Sequence, residues 1–483
     1  MRRLLPILIV LLASQGALAQ SPDEPARPPS FDELPPFVRL GVRAETMRMA
    51  WPQAPVVVIA PDAETALDAI GSWTPAVRFP VLIDDGSARA REDIARFVRA
   101  FAPERVLALE APEARAALAP SSRVASTYAE VWGAPTPEQL PARWRTTDVT
   151  PLGVVVASEG DAAWISAAAL AIGRGQALVW VDPPRGALAR NLRSDEVRLL
   201  DDAITRRLDD LDLEWRAIGD TIDAVTLCVN MPTRIAPPDN RGPRALTDRI
   251  GRHGDGSRWA WTSQVLGGAS ASLYRAMCAL FLVHPRNAWF FDGYQDESPY
   301  NQYDVTDAAA LFERGNLQAT VDRAPNGSVA QWHRRVQRGV DAGFIHVNTA
   351  GHRRWFNLNP GRAYARDLPT LSRPAAVHFI HSFSAQDPDD RASIAATWID
   401  RGAFCYFGAM DEPFLSAFLP PEAIAGRVLS AVPWGAAVRA NGPLWKVNTF
   451  GDPLYTMSRT EARQAARNAF RRHGHTTSFK RNG

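Results

Sequence analysis

Cysteine is scarce, with only Cys228, Cys278 and Cys405 in 483 residues. So sparse and odd a set excludes a disulfide framework. Each lies in an apolar run (VTLCVN, YRAMCALFL, AFCYFG), where buried, inert thiols are expected, although one disulfide pair stays open in an oxidising compartment. Lysine is scarcer still, at Lys446 and Lys480 only, and arginine supplies nearly all of the 54 basic residues. No local need for arginine extends along a whole chain, so this reads as codon bias without functional weight. An excess of one charge is also missing. The net charge of +2 gives no electrostatic case for nucleic acid. No later stretch reaches the ~18 apolar residues of a transmembrane helix. What remains is an ordinary globular balance, 46% hydrophobic and 22% charged, with ample core material. At roughly 100–200 residues per domain, two to four domains are expected.

The first residues read as a signal peptide over 1–19. Arg2 and Arg3 form the basic region, LLPILIVLLA the apolar region and Ala17-Leu18-Ala19 the cleavage site. The expected mature protein is exported, to the periplasm or outside the cell. Residues 20–45 read as a Pro-rich linker. An N-terminal α/β module follows over 46–145, where VVVIA, FPVLIDD and RVLALEA alternate with DAETALDAIGSW and ARAREDIARFVRAF. Continuous apolar strands between amphipathic helices predict a parallel sheet covered on both faces. A similar unit, VVVAS–DAAWISAAALAIGRG–ALVWVDPP, recurs after a loop near Pro135–Val149. The pair faintly resembles the cell-wall-binding repeats of some bacterial surface proteins, although the match is short, made of common residues, and better explained by two ordinary βαβ units.

The alternation continues through DAVTLCVN, a long polar loop RGPRALTDRIGRHGDGSRWAW, and the helix ASASLYRAMCALFL. From about His284 it runs NAWFFDG, QATVD, GFIHVNTA, AAVHFIHS and AFCYFGAMDEP, with helices between. GFIHVNTA and AAVHFIHS are expected to be adjacent parallel strands, by the right-handed crossover rule. Their polar ends, Gly351-His352 and His381-Ser382, then fall at strand carboxyl ends, where α/β folds bind ligands. Residues 459–483 read as a basic tail.

Four stretches, in this order, resemble the gingipain-like cysteine peptidases of the caspase-like group. VTLCVN followed by ALTDRIGR resembles the family's strand and Thr-Asp loop. GFIHVNTAGHRRW resembles the strand ending in the catalytic His-Gly pair. RGAFCYFGAMDEP resembles the next Gly-Ala strand, and NTFGDPLY the Gly-Asp-Pro closing motif. The resemblance spans roughly 152–457. It implies an α/β fold of mostly parallel sheets flanked by helices, with caspase-like subdomains A (151–283) and B (284–458) after the N-terminal module. It also implies a His352-based site whose nucleophile position holds Ser382, or Ser384 if the register slips by two. Arg353 takes the place of the family's glycine, and the usual Gly-Arg pair is replaced by SQVLGG.

Three departures at three functional places indicate a degenerate site. A thiolate is accessible near neutral pH with a histidine nearby. A serine needs a base, an orienting group and an oxyanion hole together. The first expectation is therefore a non-catalytic binding or structural module. The alternatives are a hydrolase using His352 and Ser382, and a cell-envelope binding protein acting through the N-terminal module. Cys405, between Phe404 and Tyr406, sits mid-strand and makes a poor nucleophile. His378 and His381 are three apart on a strand and point to opposite faces. They make a poor zinc pair, and His346 with His352 is no better. Asp292, Asp296, Glu297 and Asp304 are oxygen ligands that calcium accepts, but they match no EF-hand pattern and suit a solvated strand-end loop better. Trp259 and Trp261 fall in a loop, and Trp355 and Trp434 adjoin the expected site. Such aromatics serve peptide or glycan contact or simple packing. No motif calls for a cofactor, and the oligomeric state is not legible.

Overall fold

The computed structural model describes residues 30–112, 118–147, 149–184, 186–237, 242–283, 287–294, 297–440, 444 and 446–457. The expected signal peptide and basic tail lie outside these residues. The first helix, Pro36–Ala50, occupies much of the stretch expected to be a linker and buries Val38, Leu40 and Val42. Its prolines stand at the helix start, where a missing N–H costs nothing. Likewise Leu140–Thr146 is helical inside the expected loop and buries Leu140 and Trp144.

In chain order the strands are Val56–Ala60 (β1), Val81–Ile83 (β2), Arg105–Ala108 (β3), Gly153–Ala157 (β4), Ala177–Trp180 (β5), Asn191–Leu192 (β6) and Ala224–Leu227 (β7). Arg234–Ile235 (β8), Arg244–Ala245 (β9), Trp261–Gln264 (β10), Asn287–Asp292 (β11), Gln318–Asp322 (β12) and Phe344–Asn348 (β13) follow. The last six are Gly351–His352 (β14), Trp355–Asn357 (β15), Arg362–Tyr364 (β16), Ala375–Ile380 (β17), Ala403–Ala409 (β18) and Val447–Phe450 (β19).

β2-β1-β3 form a parallel three-stranded sheet. A ten-stranded sheet has the order β12-β11-β13-β17-β18-β19-β10-β7-β4-β5. Its first five strands are parallel to one another, and so are its last five. The two sets meet antiparallel at β18 and β19. GFIHVNTA and AAVHFIHS are indeed parallel neighbours, with Phe344 opposite Ala376 and Asn348 opposite Ile380. The fold is mixed α/β with a large, mostly parallel sheet flanked by helices, as expected of a caspase-like α/β architecture.

Two strands of that sheet are absent from the sequence reading. β10 begins at the last residue of the stretch expected to be loop and runs on into TSQ, and β19 begins one residue before NTFGDPLY. The helix Ala269–Phe281 is buried at every position from Ala271 onward. It lies between the two sheets, against β2, β18 and the helices Ala88–Phe101 and Trp164–Arg174. An apolar sequence all round is what a helix with neighbours on every side requires. Among the described residues no helix is long and apolar enough to cross a membrane.

Candidate functional site

β13 and β17 end side by side, and their exits build the candidate site. Thr349 N donates to the Ile380 carbonyl at 3.0 Å, holding the two ends together. β13 continues into β14, which pairs antiparallel with β15, and β15 with β16. This small sheet carries His352 at an exposed position. The exit of β17 is a tight turn in which Phe383 has φ of 61°, a left-handed backbone uncommon for a bulky residue. Ala385 N donates to the Ala409 carbonyl at 2.7 Å and Phe383 N to that of Asp411 at 3.3 Å, so the turn rests on the exit of β18.

His352 and Ser382 therefore share one edge of the sheet, but no hydrogen bond joins them. The Ser382 hydroxyl donates to Oε1 of Glu412 at 3.0 Å. The His352 ring faces the Phe383 ring, with centroids 5.0 Å apart, and lies 6.4 Å from that of Trp355. Ser384, the alternative nucleophile, is buried, and its hydroxyl reaches back to the His381 carbonyl at 3.4 Å. Arg353 has a structural task. Its Nη1 donates to Asp387 Oδ2 at 2.6 Å, and its carbonyl accepts from Ile394 N at 2.8 Å. Asp387 is buried and also pairs with Arg234 at 3.3 Å. One carboxylate thus ties together the two loops and the segment that follows β7.

The cysteines behave as expected from their apolar runs. All three are free and buried, and burial pushes each thiol up. Cys405 points into the packing of β18 and is no substitute nucleophile. The histidines do not converge. His378 stacks on His346 with centroids 4.9 Å apart and planes 6° apart, and on Phe407 at 4.8 Å. His381 instead lies 3.1 Å from the Trp355 carbonyl through Nε2, and burial brings it down to about 3.

The acidic run also disperses. Asp292 is buried and accepts from Tyr294 N at 3.0 Å and from Asn348 Nδ2 at 3.2 Å. Asp304 pairs with Arg323 and Asp296 lies outside the described residues. The Glu297 carbonyl caps the turn at Tyr300 and Asn301. Among the described residues no three His, Cys, Asp or Glu side chains are arranged to hold a metal ion. Trp259, Trp261 and Trp434 are buried core residues, and Trp259 does lie in the loop before β10. Trp261 opens β10, and Trp434 sits in a short helix against it. Trp355 does flank the site, half-buried, with the Arg362 guanidinium 3.9 Å from its ring centroid.

The other resembling stretches serve structure. Thr247 Oγ1 donates to Asn448 Oδ1 at 2.9 Å, fixing the Thr-Asp turn to β19. Asp248 is buried among Arg252, Arg258 and Arg439. The sequence reading missed Glu412, Asp387 and Arg234. Glu412 follows a strand directly in AMDEP, and that position was its one available signal.

No family model matches the chain, and no curated protein matches it. A solved structure described as "Structure of Protease" is similar at a TM-score of 0.40 and 12% identity, over 64% of this chain and 78% of its own.

Proposed function

We propose that this chain is an exported, gingipain-like protein that keeps a caspase-like scaffold and acts as a non-catalytic binding or structural module. The observation that carries this reading is the partner of Ser382. Its hydroxyl is given to the Glu412 carboxylate, while Phe383 packs against the one nearby exposed imidazole. A serine nucleophile needs that imidazole as its base, held by a third group, with an oxyanion hole opposite. Arg353, at the place of the family's glycine, is engaged with Asp387. Burial of all three thiols supports the loss of cysteine chemistry. The flanking Trp355 and Arg362 suit an extended peptide or a cell-envelope glycan.

The test uses mature protein secreted from the full-length gene, its intact mass checking cleavage between Ala19 and Gln20. Wild type and His352→Ala are assayed for peptide hydrolysis and for labelling by serine- and cysteine-directed probes. The expected result is no turnover and no active-site labelling in either. Cleavage by wild type that His352→Ala abolishes would replace this reading with a serine hydrolase using His352 and Ser382.

A further inference from the structure

The small sheet β14-β15-β16 has one face in the core and one in solvent. Phe356 and Ala363 are buried, and the Phe356 ring meets that of Trp332 with centroids 4.9 Å apart. Trp332 donates through Nε1 to the Asp367 carbonyl at 2.8 Å, which fastens the sheet to the helix Val329–Arg338. Strand alternation then sends His352, Trp355, Asn357, Arg362 and Tyr364 to the opposite face. Trp355 is half-buried and the other four are exposed. The register sets His352 opposite Trp355, Trp355 opposite Tyr364, and Asn357 opposite Arg362. Three ring-bearing side chains thus form one row across the solvent face.

Two arginines lie on that row. The Arg362 guanidinium is 3.9 Å from the Trp355 ring centroid and that of Arg366 is 5.0 Å from the Tyr364 centroid. A guanidinium held against a ring loses less freedom when it meets an anion. Carboxylates are few here. From Gly351 to Asp367 the sequence holds four arginines and one aspartate. Arg353 and Arg354 are committed to Asp387 and Asp390. Asp367 accepts from Tyr364 N at 2.9 Å and stands 3.9 Å from Arg366, whose side chain is 80% exposed. Arg362 has no ion-pair partner and makes one long hydrogen bond, from Nε to Asn357 Oδ1 at 3.4 Å. The helix Val329–Arg338 packs beside β16. It adds exposed Arg334 and Arg338, while its Arg335 is taken by Asp322. The face is therefore aromatic and carries an excess of positive charge.

We propose that this face binds an acidic polysaccharide, its sugar rings across the row of His352, Trp355 and Tyr364 and its carboxylates on Arg362 and Arg366. Charge complementarity selects the acid, and the guanidinium fork matches a carboxylate through two parallel hydrogen bonds. The placement of these groups selects the sugar over an acidic peptide. An extended peptide is gripped through its backbone at a free sheet edge. Here the recognition groups are side chains on a face whose central strand, β15, is paired on both sides. The proposal rests on the reading of the His352–Ser382 edge as a binding site, and names the class of ligand taken there.

Full-length mature protein is titrated by calorimetry with polygalacturonate. Polyglutamate and dextran, at matched ionic strength, serve as the acidic-peptide and neutral-glycan probes. The expected result is saturable binding of polygalacturonate that weakens with added salt, binding of polyglutamate about tenfold weaker, and none of dextran. Arg362→Gln and Tyr364→Ala alter exposed side chains and should each weaken polygalacturonate binding about tenfold, equivalent to about 1.4 kcal/mol. Arg198→Gln removes the same charge from the helix Ser194–Asp210, at a side chain 67% exposed, and should change nothing. Three outcomes would overturn the assignment. They are no binding of polygalacturonate, equal binding of polyglutamate, and equal losses in Arg362→Gln and Arg198→Gln. Peptide hydrolysis measured on the same samples separates the two conclusions. Turnover with polygalacturonate still bound overturns only the non-catalytic reading, and absent binding without turnover overturns only the polysaccharide.

Discussion

Ser382 meets Glu412 through a single hydrogen bond of 3.0 Å, and that bond determines what a cysteine would encounter at the same place. Serine and cysteine are close in volume, so Ser382→Cys should fold with a cost under about 1.5 kcal/mol. Its thiol, however, would stand beside a carboxylate, and a like charge disfavours the thiolate. Ser382→Cys should therefore react slowly with iodoacetamide, and Ser382→Cys with Glu412→Gln should react faster at the same pH. Wild type should not react under native conditions, because its three thiols are buried and only an exposed thiolate is a competent nucleophile. Labelling rates followed by intact mass check the order. Equal rates in the single and double variants would show that Glu412 does not govern this position. Peptide cleavage should stay absent in both, since Arg353 remains bound to Asp387.

At the scale of elements, four adjacent strands place Phe290, His346, His378 and Phe407 side by side. Their rings form a ladder with centroid spacings of 6.1, 4.9 and 4.8 Å. The four ring nitrogens of His346 and His378 have no hydrogen-bond partner. Burial draws His346 down to about 3 and His378 well below its usual range. Both are neutral in the folded state, while the unfolded chain takes up their protons near 6.5. Stability from this pair is therefore fully present above pH 6.5 and is lost as pH falls through their lowered folded-state values, about 3 for His346. Each histidine contributes a slope of about 1.4 kcal/mol per pH unit within that window. His378→Phe extends the ladder and removes two unsatisfied nitrogens. It should raise stability at pH 7 by about 1 kcal/mol and flatten the decline below pH 6.5, as read by urea unfolding between pH 4 and 8. An unchanged slope would mean that His378 is protonated in the folded state.

The same elements show what was legible in advance. β13 and β17 were plain because their side chains are apolar on both faces, as a covered parallel sheet demands. Placing His352 and Ser382 at neighbouring strand ends followed from that. β10 was hidden because WTSQ is polar, although every residue of it is buried. Gln264, for example, donates to the Val229 and Met231 carbonyls, a partnership with no local trace. The Pro35-Pro36 pair resembled a linker and instead opens a helix. The partners of the site residues were the hardest part. Glu412 and Asp387 reach Ser382 and Arg353 from 30 and 34 positions away, and no periodicity encodes such a meeting.

For the whole molecule, the decisive feature is the seam at which two parallel five-stranded sets meet head to tail. β19 is the strand that joins them, antiparallel to β18 and parallel to β10. The residues after it hold the seam in place. Gly451 has φ of 93°, and a Cβ there would lie 2.5 Å from the Phe404 carbonyl oxygen, so the chain turns over β18 only with glycine. Asp452, 1% exposed, then pairs with Arg174 at the end of the helix Trp164–Arg174, which connects β4 and β5 in the same strand set as β19. Pro453 packs where a Cβ on Gly435 would fall. The Gly-Asp-Pro motif is thus a clasp between the two strand sets, independent of any catalysis. Asp452→Asn leaves the shape intact and strands the Arg174 charge, 11% exposed in its side chain. Breaking a buried pair from one side costs about 3–5 kcal/mol. Urea unfolding should show a lower midpoint with an unchanged slope, because the surface exposed on unfolding is the same. Asp195→Asn is the matched control. Its partner Arg193 is on the surface, with side chains 56% and 69% exposed, and its midpoint should not move. If both variants behave alike, the clasp carries no special share of the stability. If Asp452→Asn instead splits the transition in two, the end of the sheet carrying β4 and β5 unfolds as a separable unit that Asp452 ties to β19.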